Sequence, residues 1–367
     1  MIRFIALSGF LGAGKTTTML AVARRLEAAG RRVAVVTNDQ SDDLVDTKLA
    51  RGALGAVGEV TGGCFCCRFE DLVDVVREIV EEHRPDTIIA ESVGSCTDLQ
   101  ATVIRPLRRY YGNTFAVAPL TAVADPLRFR AFARVWERGE PDTDMTYLYR
   151  RQLDDAEVIV VGKADVVPAA HLDVTEAAVR EHFPHARVLV CSALTGLGLD
   201  RLVAEWSVDA AEGRDLEVDY DRYAAAEAAL AWQNRTFDVE AAGDVLPVDW
   251  GRSVLRRIGE ECAVRDWLVG HAKASLESSS GLTKLGITGT GVEPVVDVET
   301  PDPVRTFRVV LNARIACEPE ELDRLVAEAV GAADERFGTG SRGAPASAFK
   351  PGYPRPLHRL AAEVGRS

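Results

Sequence analysis

Between Ile2 and Gly30 the chain runs from a short apolar stretch through a glycine-rich turn into an amphipathic segment, and this succession constrains the fold more than any other feature. Gly9, Gly14, Lys15 and Thr16 fall in the spacing G-x-x-x-x-G-K-T. Glycines at those positions let the backbone curl until several N–H groups point at one phosphate. The helix that follows adds the positive end of its dipole. The expected phosphate contacts are Gly9, Gly12, Ala13, Gly14, Lys15, Thr16 and Thr17. Lys15 would reach the β- and γ-phosphates and neutralise charge in the transition state, and the Thr16 hydroxyl would ligate Mg²⁺. A purely structural glycine turn is the alternative, but the strand before and the helix after (Lys15–Ala29) are the context a phosphate loop requires.

Strands are expected at Ile2–Ser8, Arg32–Thr37, Thr87–Ala90, Thr114–Val123, Val158–Val161 and Arg187–Cys191, with a helix at Leu72–Glu82. Continuous apolar runs between turn signals suit strands buried on both faces. Alternation with helices predicts an α/β fold of the P-loop NTPase type, a doubly wound and mostly parallel sheet over residues 1–207. Residues 208–230 read as a charged linker, with a short helix at Ala224–Ala231. A smaller α+β domain is expected over 231–338, with strands at Arg235–Val239, Trp267–Leu276 and Arg305–Asn312 and helices at Trp250–Glu261 and Pro319–Ala332. In Trp267–Leu276 the alternation places His271 and Lys273 together on an exposed sheet face, unremarkable there or a partner or cofactor surface. Residues 339–367 form a Gly/Pro-rich tail, expected to be extended and mobile. Its segment PGYPRPLHR reads as disordered or as a docking segment.

With 56 acidic against 43 basic residues and a net charge of −13, nucleic acid is not an expected partner. No apolar run approaches the roughly 18 residues that span a membrane, and the first residues lack the pattern of a secretory signal. A cytoplasmic location without membrane attachment is therefore expected. Seven cysteines are an odd number in a long chain and do not suggest a disulfide framework.

A phosphate loop needs an acidic partner at a later strand end. Glu91 closes the run DTIIAE, and Gly94 lies three residues on, where its N–H could approach a γ-phosphate. In VIVVGKADVV, Lys163 and Asp165 match the K-x-D that reads guanine, with Gly162 where Asn is usual. Ser192 and Ala193 follow the next strand, as in the last guanine-contacting loop. Together they favour GTP over ATP.

Cys64, Cys66 and Cys67 stand within four positions behind Gly62 and Gly63. Thiolates suit Zn²⁺ and other soft or borderline ions, and three of them leave a fourth position for a substrate, a partner side chain or water. Redox sensing and an inert turn are the alternatives. Cys96 reads as a small buried hydrophobe, or as a thiol near nucleotide or metal, and Cys191, Cys262 and Cys317 as core residues. The acidic Asp39, Asp42 and Glu59 could add oxygen ligands or be solvated. No arginine finger is identifiable.

The ordered set G-x-x-G-x-G-K-T-T, C-x-C-C, E-S-x-G, K-x-D and S-A-x-T-G-x-G-L resembles the CobW/HypB/UreG family of metal-handling GTPases, most closely its CobW-type branch. Asn38, Asp39, Asp42 and Asp46 also resemble that branch's first switch. The resemblance covers residues 2–207 and implies a GTPase that binds GTP/GDP and Mg²⁺. It also implies a divalent metal, Zn²⁺ or else Co²⁺, Ni²⁺ or Fe²⁺, on Cys64, Cys66 and Cys67, handed to a client metalloenzyme or cofactor enzyme. Asp39 or Glu91 would orient the attacking water. A GTP-dependent activator that carries no metal, and a thiol redox sensor, stand as alternatives. A homodimer is open.

Overall fold

A computed structural model describes residues 1–38, 50, 54–211, 214–343 and 347–362. The chain divides into two compact units. The first takes in the described residues up to Ala225 and those from Tyr353 onward, and the second those from Ala226 to Gly352. Most of the charged stretch expected to be a linker therefore belongs to the first unit.

The first unit is built on an eight-stranded sheet. Its strands are β1 (Ile2–Ser8), β2 (Val33–Asn38), β3 (Val57–Val60), β4 (Thr87–Glu91), β5 (Phe115–Val117), β6 (Thr121–Ala124), β7 (Val158–Val161) and β8 (Arg187–Val190). The order is β3-β2-β4-β1-β6-β7-β8, with β5 beside β1, and every pairing is parallel. Every residue of β2, β4 and β7 is buried, as their unbroken apolar runs require.

Helices α1 (Lys15–Ala28), α2 (Phe69–His83), α3 (Arg105–Tyr111), α4 (Pro126–Glu137), α5 (Asp144–Asp154), α6 (Ala169–His182) and α7 (Leu199–Glu205) alternate with the strands, and α8 (Tyr220–Ala228) leads out of the unit. The single strand expected over 114–123 is two. β5 pairs with Ile2–Phe4 and β6 with Leu7–Ser8, and Pro119 between them lacks the N–H a continuous ladder needs.

The second unit is an antiparallel six-stranded sheet, β9 (Ala231–Val245), β10 (Val269–Ser278), β11 (Gly281–Ile287), β12 (Val295–Val298), β13 (Val304–Ile315) and β14 (Thr339–Gly343), in the order β12-β11-β10-β13-β9-β14. Helices α9 (Pro247–Val264) and α10 (Pro319–Phe337) supply Trp250, Leu255, Ile258, Leu322 and Val326 to a core shared with Ala272, Ala274, Leu276 and Leu311 of the sheet. His271 is not on an exposed face: it is 6% exposed, and Lys273 is half-buried. They stand opposite Arg314 and Asn312 of β13, and Arg314 in turn stacks on Trp232. Long polar side chains of neighbouring strands thus fill that side of the sheet. No helix among the described residues is long and apolar enough to cross a membrane.

Candidate nucleotide and metal site

The turn between β1 and α1 is bent through Gly9, Gly12 and Gly14, all at positive φ. At Gly9 the need for glycine is also steric: a Cβ would lie 2.2 Å from the Val123 carbonyl oxygen, so the loop presses directly on β6. Lys15 folds back across the loop and donates to the carbonyls of Gly9 (2.7 Å) and Phe10 (3.2 Å). Thr16 donates to both oxygens of Glu91, at 2.9 and 3.1 Å. Thr16, expected to ligate Mg²⁺, and Glu91, expected as the acidic partner of the phosphate loop, are 75 residues apart and are brought together where α1 starts and β4 ends. Hydroxyl and carboxylate oxygens are the hard donors Mg²⁺ takes. Thr17 follows in the first turn of α1, and Ala13 is buried in the loop.

Gly94 sits where the loop after β4 meets the phosphate loop. A Cβ there would lie 2.8 Å from the Leu11 nitrogen and 2.9 Å from its Cα. Gln152 of α5 clamps this loop by donating to the carbonyls of Gly94 (2.8 Å) and Cys96 (3.0 Å).

On the other side, Lys163 donates to the Gly12 carbonyl (2.8 Å) and to Asp125 (2.7 Å). Asp125 caps α4, accepting from the Leu127 and Arg128 amides. Burial works to raise its carboxyl, but the Lys163 charge and these hydrogen bonds outweigh it and hold the group below the usual range. Sequence reasoning missed Asp125, although an Asp-Pro pair directly after a strand was its signal. Ser192 donates to Asp165 at 2.5 Å, and the Ala164 amide donates to the Cys191 carbonyl. The K-x-D and Ser192-Ala193 loops therefore form one wall. At Gly162 a Cβ would stand 3.6 Å from the Ala13 carbonyl oxygen, so a side chain there would project beside the phosphate loop.

The cysteines occupy the turn between β3 and α2. Amides of Cys67 and Arg68 donate to the Cys64 carbonyl, which closes the turn. Asn38, the last residue of β2, donates to the carbonyls of Val60 (3.0 Å) and Gly63 (2.7 Å) and accepts from the Phe65 amide (3.1 Å). One side chain thus ties the thiol loop to the strand end where the expected switch begins. Asp39, Asp42 and Asp46 lie outside the described residues.

The sulfurs of Cys64, Cys66 and Cys67 all fall within 4.8 Å of one another and form the one such potential metal-ligand group among the described residues, so Glu59 is not part of it. All seven cysteines are free, and among the described residues the structure contains no disulfide. Hydrogen bonding to Cys64, then burial, push the Cys67 thiol up to about 11, and Cys66 is raised as well by its sulfur neighbours.

Within the segment 353–362, residues 355–358 lie against this turn. The Arg355 amide donates to Cys67 Sγ (3.2 Å) and the Leu357 amide to the Cys66 carbonyl (2.9 Å). His358 meets Phe69 edge-on at 5.1 Å. Arg359 donates to Asp98 (2.8 Å), and Arg105 to the Leu360 carbonyl (2.7 Å). The tail expected to be mobile is therefore hydrogen-bonded along the first unit through Ala362, whose amide donates to Asp215.

The description "CobW/HypB/UreG, nucleotide-binding domain" matches residues 3–190. The chain belongs to this family. Among curated proteins, the zinc chaperone CobW of Pseudomonas aeruginosa is 28% identical over 213 residues, 50% of this chain and 54% of that protein. The zinc chaperone YjiA of Escherichia coli is 34% identical over 81 residues, 22% of this chain and 25% of that one. The chain thus spans about half the length of the first relative and a quarter of the second. Among solved structures, HypB of Helicobacter pylori in complex with nickel has a TM-score of 0.40 at 15% identity, covering 56% of this chain and 87% of that one. Zn(II)-bound YjiA GTPase of Escherichia coli has a TM-score of 0.37 at 16% identity, covering 89% and 98%.

Proposed function

We propose that this CobW/HypB/UreG-family protein is a GTP-hydrolysing metallochaperone whose cargo is a divalent metal, zinc first, held by Cys64, Cys66 and Cys67. The observation that carries the reading is the Asn38 side chain, which makes the thiol turn an extension of the end of β2, the strand next to the β4 that ends in Glu91. Three sulfurs within 4.8 Å of one another supply a soft donor set that suits Zn²⁺. Membership of the family supports the nucleotide half of the proposal.

GTP would lie along Gly12–Thr17, with its phosphates on the loop amides and Lys15 swung out from the Gly9 carbonyl to meet them. Mg²⁺ held by Thr16 and Glu91 would neutralise charge on the phosphates. Asp165, oriented by Ser192, would accept from guanine, and Lys163 would lie against the base. Either Asp39 or Glu91 would orient the attacking water. The client is a metalloenzyme or cofactor enzyme that receives the cargo.

Replacing Cys64, Cys66 and Cys67 together by serine tests the central claim. Co²⁺ or Zn²⁺ affinity should fall by more than about 100-fold in the presence of GTP. Unchanged affinity would remove the reading in which these three cysteines hold the cargo.

A further inference from the structure

Cys96 lies outside the C-x-C-C motif, yet its sulfur stands 3.6 Å from Cys66 Sγ. Cys66 Sγ is also 2.6 Å from Cys64 Sγ and 3.9 Å from Cys67 Sγ. Sulfurs around a tetrahedral Zn²⁺, each about 2.3 Å from the metal, are about 3.8 Å apart. The Cys66–Cys67 and Cys66–Cys96 separations therefore already match edges of such a tetrahedron. We infer that Cys96 is the fourth thiolate of the metal site, contributed by the loop that follows Glu91. This rests on the reading of Cys64, Cys66 and Cys67 as ligands and goes beyond it.

Two further features carry the inference. The first is how Cys96 is held. Its side chain is fully buried, its amide donates to the Val93 carbonyl at 2.9 Å, and Gln152 accommodates its carbonyl at 3.0 Å. The sulfur is thus presented to Cys66 by a tight turn that Gln152 braces. The second is what the same turn touches. Gly94, two residues earlier, packs on the backbone of Leu11 in the phosphate loop. A ligand on this turn is displaced by anything that displaces Gly94.

Cys96 stands outside the group of sulfurs that all lie within 4.8 Å of one another. It is also carried by a different loop from the other three, so a shift of that loop changes its distance alone. Four thiolates hold the cargo when the turn lies close, and three hold it when the turn is drawn toward a γ-phosphate. The fourth position then opens to a client ligand. Ligand number, rather than a rearrangement of the C-x-C-C turn alone, is what couples nucleotide to metal. One metal–sulfur bond breaks as one bond to the incoming donor forms, and the released Cys96 thiolate takes up a proton from solvent.

Co²⁺ titrated into the full-length protein without nucleotide tests this by optical absorption. The parent should give the sulfur-to-cobalt charge-transfer band of four thiolates. Cys96→Ser should lose about a quarter of that intensity, one of four Co–S bonds, and bind at least about 10-fold more weakly. A Cys96→Ser spectrum that superposes on the parent's would overturn the inference while leaving the three-cysteine reading intact. A parent without any thiolate band, matching the Cys64/Cys66/Cys67 serine variant, would overturn both. Should Cys96→Ser fail to fold, X-ray absorption on the Zn²⁺-loaded parent decides. Four sulfurs at about 2.3 Å support the proposal, and three sulfurs with one lighter atom refute it.

Discussion

Asn38 uses both ends of one amide: its nitrogen donates to Val60 and Gly63, and its oxygen accepts from Phe65. No apolar side chain of similar size can replace three hydrogen bonds made inside a buried turn. Asn38→Ala should therefore lower stability by about 1–3 kcal/mol and metal affinity about 10-fold or more. Chemical denaturation and Co²⁺ titration measure the two losses, and the second is the informative one. If the variant were destabilised but bound metal as tightly as the parent, the tie between strand end and thiol turn would be structural only. Asp165 makes the companion case on the nucleotide side, since Ser192 orients the carboxylate that would read guanine. Asp165→Asn exchanges an acceptor for a donor and should shift preference from GTP toward XTP by about 100-fold. Competition binding of the two nucleotides reads this out directly.

At the scale of elements, the parallel sheet was legible because its central strands are buried on both faces and so read as unbroken apolar runs. The second sheet was harder. β12 alternates between exposed and half-buried residues at an edge, and β11 carries glycines at Gly281 and Gly286, so neither has a strong apolar signature. β9 continues to Val245 through an exposed polar half, well past the apolar part visible in the sequence. The covering segment 353–362 overlaps PGYPRPLHR, which the sequence left between disorder and docking. Several of its ties are backbone amides to Cys67 Sγ and to the Cys66 and Ala101 carbonyls, which side-chain chemistry does not encode. Its main side-chain anchor is Arg359, against an Asp98 that is only 1% exposed. Arg359→Ala would leave that buried carboxylate with the Tyr220 hydroxyl as a donor but without the guanidinium and should lower stability by about 1–3 kcal/mol. It should also speed alkylation of Cys67, which mass spectrometry of iodoacetamide-treated protein would follow. An unchanged alkylation rate would mean that the backbone ties hold the segment without it.

For the whole molecule the instructive group is Asp155, a buried carboxyl that a sequence cannot distinguish from any surface aspartate. Burial, then the nearby Asp98 charge, raise it from 3.8 to about 7. The folded protein thus keeps a proton that the unfolded chain releases near pH 4. The stability from this group is complete below about pH 4 and is lost as pH rises through about 7. Asp155→Asn keeps the site neutral throughout. Its melting temperature should fall less than the parent's between pH 5 and pH 8, by an amount worth at most about 3 kcal/mol. Parallel slopes in thermal melts across that range would show that Asp155 does not titrate there. The net charge of −13, by contrast, was fully visible in composition. It bears on which partners the surface attracts and not on how the two units fold.

The cover over the thiol turn also has a place in time. Arg355 is made 288 residues after the Cys67 it covers. At the usual pace of synthesis, the turn is on the ribosome without its cover for roughly 15–60 s. During that interval the cysteines meet metal ions and oxidants unshielded. If Cys64, Cys66 and Cys67 hold metal as proposed, a newly made chain has a loading opportunity that a finished one must recreate by lifting Arg355–His358 off the turn.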